Sequence, residues 1–91
     1  MKTTENKNPE ALKARILDLL ATERALDEEY ERLCYYERCP EFDGNPEGRF
    51  RAQSSLETQM SRVSLKAWKL AKELREIDHD SWASLPEEIR R

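Results

Sequence analysis

Glycine is nearly missing from this sequence: Gly44 and Gly48 are the only two in 91 residues, beside four prolines and a single histidine. Nucleotide-binding loops need clustered glycines so that backbone amides can approach phosphates, so no Walker or dinucleotide fingerprint can be written here. The same scarcity argues against the turn-rich composition of a β-sandwich, while abundant Ala, Leu, Glu, Lys and Arg favour long helices. No sheet is expected. Cysteine is scarce too: Cys34 and Cys39 are too few for a disulfide framework and are expected as free thiols in a reducing compartment. No apolar run approaches the roughly 18 residues needed to cross a bilayer. The opening "MKTTENKN" also lacks the apolar stretch of a secretory signal. The expectation is a soluble, cytoplasmic protein with no membrane partner.

With 37% hydrophobic against 38% charged residues and a net charge of −3, the chain suits one small domain with a thin core. The near balance of charge gives no overall attraction to nucleic acid.

Two short phrases nearly repeat, Asn8-Pro9-Glu10-Ala11 and Asn45-Pro46-Glu47-Gly48. Asn at an N-cap accepts from a free amide of the first turn, Pro at the next position has no amide to leave unpaired, and Glu favours the positive end of the helix dipole. Each phrase therefore reads as the start of a helix. The first pattern runs over 8–38, where Pro40 disfavours helical geometry at Cys39 and "CPEFDGN" supplies a loop over 39–45. The second runs over 46–79. Residues 1–7 read as a disordered N-terminus and 80–91 as a tail with a short helix beginning at Pro86.

On the second helix Leu56, Met60, Val63, Ala67, Leu70, Leu74 and Ile77 are spaced alternately four and three apart, an unbroken heptad stripe. The first helix answers with Leu12, Ile16, Leu19, Leu26, Tyr30 and Leu33, interrupted by Glu23. Joined by a short loop, the two helices must run antiparallel. The fold class is thus all-α: a long, coiled-coil-like two-helix hairpin with a short C-terminal helical turn.

A lone hairpin leaves the flanks of its seam wet, and Leu17, Leu20, Leu65 and Trp68 form a second apolar face in the half away from the loop. Two elements can cover it. One is the tail, through Trp82, Leu85 and Ile89. The other is a second copy, which would make a homodimeric four-helix bundle. The tail is short for helices of this length, which favours the dimer.

The search for catalytic chemistry returns little. His79 is placed tens of ångströms from Cys34 and Cys39 in a hairpin of this length, on the order of 45 Å, so no Cys–His pair forms within one chain. Zinc requires three or four converging ligands and Cys34-x4-Cys39 supplies two. Cys34 is expected to pack beside Leu33 as a small apolar residue, with Cys39 in the loop without a role. Glu76 and His79 have the Glu-x-x-His spacing of bundle metal sites, but Ile77 is on the core stripe, so the pair points to solvent. His79 is expected near the end of the second helix, where positive charge is favourable. Glu23 is expected to reach solvent at the edge of the seam or to pair with a basic residue such as Arg62. No catalytic residue, metal or cofactor is assigned.

Charge and aromatics mark contact surfaces instead. The first helix carries the acidic run Asp27-Glu28-Glu29-Tyr30-Glu31, and the second has six Lys or Arg against one Glu between Arg49 and Lys72. The bland expectation is that the two helices pair these charges with each other. Arg62, Lys66 and Lys69 beside Trp68 also make a basic, aromatic combination able to meet nucleic acid. Five of the seven aromatic residues gather at the loop: Tyr30, Tyr35, Tyr36, Phe42 and Phe50. They read either as a small core seating the loop, with Phe42 and Phe50 inside, or as a partner-binding tip. The expected function is a non-enzymatic protein–protein interaction module, a small regulator, adaptor or inhibitor. Its contact residues are drawn from Tyr30, Tyr35, Tyr36, Phe42, Leu65, Trp68 and Trp82. A nucleic-acid-binding regulator using Arg62, Lys66 and Lys69 is the alternative.

Overall fold

The computed structural model describes residues 8–90, and the expected disorder of residues 1–7 lies outside them. Both repeated phrases do start helices. Asn8 Oδ1 accepts from the Ala11 amide at 3.1 Å and Asn45 Oδ1 from the Gly48 amide at 3.0 Å. From these caps run α1, Pro9–Leu33, and α2, Pro46–Ile77. Two 3-10 turns, Tyr36–Arg38 and Pro40–Phe42, fill the connection, and the tail forms α3, His79–Ala83, and α4, Glu87–Arg90. No strand occurs among the described residues. The hairpin is a rod of 53 × 27 × 16 Å.

Both long helices end with the last residue of their apolar stripes, short of the expected bounds at 38 and 79. Helix α1 stops at Leu33 rather than near Arg38, because Tyr35 turns extended at φ −121°, ψ 119°. The Leu33 carbonyl, which a continuing helix would use, accepts instead from Arg49 Nη1 of α2 at 2.6 Å. Helix α2 stops at Ile77, and Asp78, at φ −157°, ψ 87°, caps α3 by accepting from the Ser81 amide at 3.4 Å, and it also accepts from the Ser81 hydroxyl at 2.8 Å. His79 therefore opens a new helix and its ring lies 5.1 Å from that of Trp82.

The tail covers one half of the seam. Leu12, Ile16 and Leu20 of α1, Ala67, Ala71 and Leu74 of α2, and Leu85 and Ile89 of the tail form one buried cluster, with Leu19, Leu70 and Trp82 against it. Ala67 and Ala71, one turn apart, leave the space that Leu85 and Ile89 fill. This explains why Leu20 and Ala71, both off the heptad stripes, are buried. Toward the loop, where no tail reaches, stripe residues Leu26, Tyr30, Leu56 and Met60 are only half-buried. At the opposite end of its stripe Ile77 is 39% exposed.

The connection has one backbone position that demands glycine. Gly44 sits at φ 74° with open space around it, so a side chain there is strained by the backbone alone. Gly44→Ala is expected to cost about 1 kcal/mol, read as a lower urea midpoint with an unchanged slope. At Gly48 the constraint is different: a Cβ would run into the capping side chain of Asn45.

Candidate functional site

The loop end is held by two arginines whose roles the sequence did not disclose. Arg32 grips Glu29, three residues earlier on α1, through Nε at 3.0 Å and Nη2 at 2.7 Å. It also reaches Glu41 across the turn, through Nη2 at 2.6 Å, and donates from Nη1 to the Arg38 carbonyl at 2.9 Å. This fork ties the end of α1 to both 3-10 turns. Arg49 does the same from α2: besides bonding the Leu33 carbonyl, its guanidinium lies 4.3 Å over the Tyr36 ring. Its Nε is buried without a hydrogen-bond partner, a cost that the stacking and the short carbonyl bond offset. The Glu29–Arg32 spacing was visible in the sequence, whereas Glu41 and Arg49 become partners only once the chain has turned.

The Arg32 guanidinium beside Glu29 and Glu41 holds both carboxyls below the ordinary glutamate range, chiefly through its hydrogen bonds to them. A lowered folded-state pKa means stability that is present above the unfolded value of about 4.3 and is lost as pH falls through the lowered values. Both groups are exposed, so the contribution is small. Arg32→Gln is expected to melt below the natural protein at pH 7, with the gap narrowing as pH falls below the ordinary glutamate range and the carboxylates protonate. Thermal melts of both proteins across that range measure it.

The cysteines exchange their expected roles. Cys39 is fully buried, its thiol donating to the Tyr35 carbonyl at 3.2 Å, while Cys34 is exposed and accepts from Gln53 Nε2 at 3.5 Å. The chain reverses so tightly after Leu33 that residue 39 returns beneath it, and Leu33 and Cys39 are buried apart from the main cluster. No three His, Cys, Asp or Glu side chains converge as a metal site among the described residues.

The aromatics only partly form the small core expected of them. Phe42 is half-buried, but Phe50, expected inside, is 69% exposed. Tyr35 and Tyr36 stand half out of the surface, and Tyr35 lies under the Arg38 guanidinium at 4.8 Å. Tyr30 turns inward and donates to Glu57 Oε2 at 3.1 Å, which bridges the helices and raises the phenol's pKa.

In the other half, the four-residue apolar face divides. Leu20 is buried beneath the tail, whereas Leu17, Leu65 and Trp68 remain exposed, Leu65 at 53% and Trp68 at 46%. Trp82 is not a free surface residue: it rests on the core with Arg75 at 4.6 Å over its ring. Leu65 and Trp68 edge a shallow groove shared with Glu23, Ser61, Glu88 and Ile89. Glu23 thus reaches the edge of the seam, as expected, but makes no pair with Arg62. Among the described residues no ion pair joins α1 to α2, contrary to the expected pairing of acidic and basic helices. The cause is phase: Arg62 and Lys69 are three before and four after Leu65, on the outer side of α2. Arg62, Lys66 and Lys69 are all exposed.

No described helix is long and apolar enough to cross a membrane. The chain matches no protein-family model, no curated protein and no solved structure.

Proposed function

We propose that this chain is a non-enzymatic protein-binding module, a small helical regulator, adaptor or inhibitor whose partner engages the aromatic loop end. One observation carries the reading: Tyr35 and Tyr36 are exposed on a turn that Arg32 and Arg49 hold in place, and Phe50 is exposed near the start of α2. Aromatic rings pre-set by stacked arginines lose little entropy on binding, and Tyr and Arg are the residues on which interfaces concentrate their energy. Tyr30 and Phe42, both half-buried, complete the aromatic group at this end. The exposed Leu65 and Trp68 serve a second contact, self-association into a four-helix bundle.

The test is a comparison of bound partners, by crosslinking and mass spectrometry, between the natural protein and a Tyr35→Ala/Tyr36→Ala variant with the same helical circular dichroism. Loss of a stoichiometric partner from the variant supports the reading. The same partner recovered equally from both contradicts it.

The exposed Arg62, Lys66 and Lys69, with no ion-pair partners among the described residues, favour one alternative, a nucleic-acid-binding regulator. Such binding to a DNA duplex would weaken steeply between 50 and 200 mM salt, by about 40-fold if three phosphates are met, and would vanish in Lys66→Glu/Lys69→Glu.

A further inference from the structure

We infer that the Leu65/Trp68 face is filled by a second copy of this chain, with the two hairpins parallel so that both loop ends lie at the same end of the dimer. This rests on the self-association proposed above and adds the orientation, which the placement of charge specifies. On one side of Leu65 and Trp68 the groove is lined by the carboxylates Glu23 and Glu88, and the adjoining hollow adds Asp27 and one cation, Arg24, so that this side carries three acids against one base. On the other side are Arg62 and Lys69, adjacent to Leu65 by helical spacing. Neither of those cations, nor Glu23, forms an ion pair within the described chain, and Glu88 makes only an exposed contact with Arg24 at 3.8 Å.

A face-to-face dimer has its two-fold axis in the plane of contact. With the axis along the helices, the acidic edge of each copy meets the cationic edge of the other on both sides of the apolar stripe. With the axis across the helices, acid meets acid and base meets base, a juxtaposition that disfavours that dimer. The heights also agree. Glu23 shares its groove with Ser61 and Ser64 of α2, the level of Arg62, and Glu88 shares it with Leu65 and Trp68, near Lys69. Glu23, an interruption in the first helix's stripe, thereby becomes a residue that selects the arrangement of two chains, as polar core positions do in coiled coils. One consequence is functional: two aromatic tips side by side present a bivalent surface to a partner.

The exposed Cys34 allows a direct test in the natural chain, because Cys39 is buried and resists labelling. Cys34 is level with Gln53. The centre of the Leu65/Trp68 patch is then about 20 Å further along α2 at 1.5 Å per residue. A nitroxide on Cys34 should give a dipolar distance below about 30 Å in the parallel dimer and about 40 Å or more in the antiparallel one. A short distance supports the inference, and a long one overturns the orientation while leaving self-association standing. A monomer by mass overturns both, and neither result bears on whether Tyr35 and Tyr36 hold a partner. As a second arm, Arg62→Glu/Lys69→Glu is expected to weaken the dimer by about tenfold at low salt. Adding Glu23→Lys/Glu88→Lys is expected to restore it. No restoration, in a variant with unchanged circular dichroism, contradicts the charge pairing.

Discussion

A chain ended at Ile77 is expected to lose its cooperative unfolding transition, although both long helices remain in the sequence. The tail inserts Leu85, 2% exposed, and Ile89, 7% exposed, against the two alanines of α2. Burying two such side chains contributes about 3 to 6 kcal/mol. Their removal also uncovers Leu20 and Ala71, which lie off the heptad stripes. A small domain has about 5 to 15 kcal/mol in all, so the loss takes most of what there is. The hydrogen bonds from the Ser81 hydroxyl to the Asp78 carboxylate and from Arg90 Nε to the Leu85 carbonyl, at 2.8 Å each, set the tail's path and go with it. Thermal melts followed by circular dichroism should show a broad, non-sigmoidal loss of helix in the truncated chain. Leu85→Ala in the full-length protein should stay cooperative but fall by about 2 to 4 kcal/mol in denaturant. A sharp transition in the truncated chain, near the natural midpoint, would mean that the tail is an accessory to the hairpin and not part of its core.

The same substitution made at the two cysteines is expected to have very different effects. Cys39→Asp places a carboxylate where no solvent reaches, beneath Leu33 and against the Tyr35 carbonyl, an acceptor that repels it. A buried group of this kind costs about 3 kcal/mol or more unless it takes up a proton. Cys34→Asp changes an exposed side chain with one weak contact from Gln53 and should shift stability by less than about 0.5 kcal/mol. Urea titrations of the two variants give the comparison. Near-equal midpoints would show that the loop does not close over Cys39 as described. The Cys39 variant should also disorder the turn carrying Tyr35 and Tyr36, so it should lose partner binding that the Cys34 variant keeps.

The long helices were legible because their signals are local. A capping Asn before Pro-Glu is satisfied within one turn, and heptad spacing states which side of each helix meets the other. What could not be read depended on where the chain goes after it leaves a helix. Nothing around Leu33 forbids another turn of helix. It ends there because Arg49, sixteen residues later, takes its carbonyl and Cys39 folds beneath it. The burial of Leu20 and Ala71 likewise follows from a tail helix of only four residues, Glu87–Arg90, whose placement is decided by the groove it enters. At the candidate site, the gathering of aromatics at the loop was evident, but their sorting was not. Phe50 looks like a core residue by type, yet its phase on α2 turns it outward, while Tyr30, with a polar tip, is the one that bridges the helices. The exposure of Leu65 and Trp68 had a plainer cause. Both lie off the heptad stripe, and the tail is too short to cover Leu20 and these two together.

A hairpin sealed by its own tail still leaves Leu65 and Trp68 exposed, and the proposed occupant of that face is a second copy. Light scattering across a concentration series measures this most directly, with the natural protein and Trp68→Glu side by side. The expected result is twice the chain mass for the natural protein and the chain mass for the variant, with equal helical content in both. A natural protein that stays monomeric at every concentration, or a variant that dimerises as well as the natural one, would contradict it.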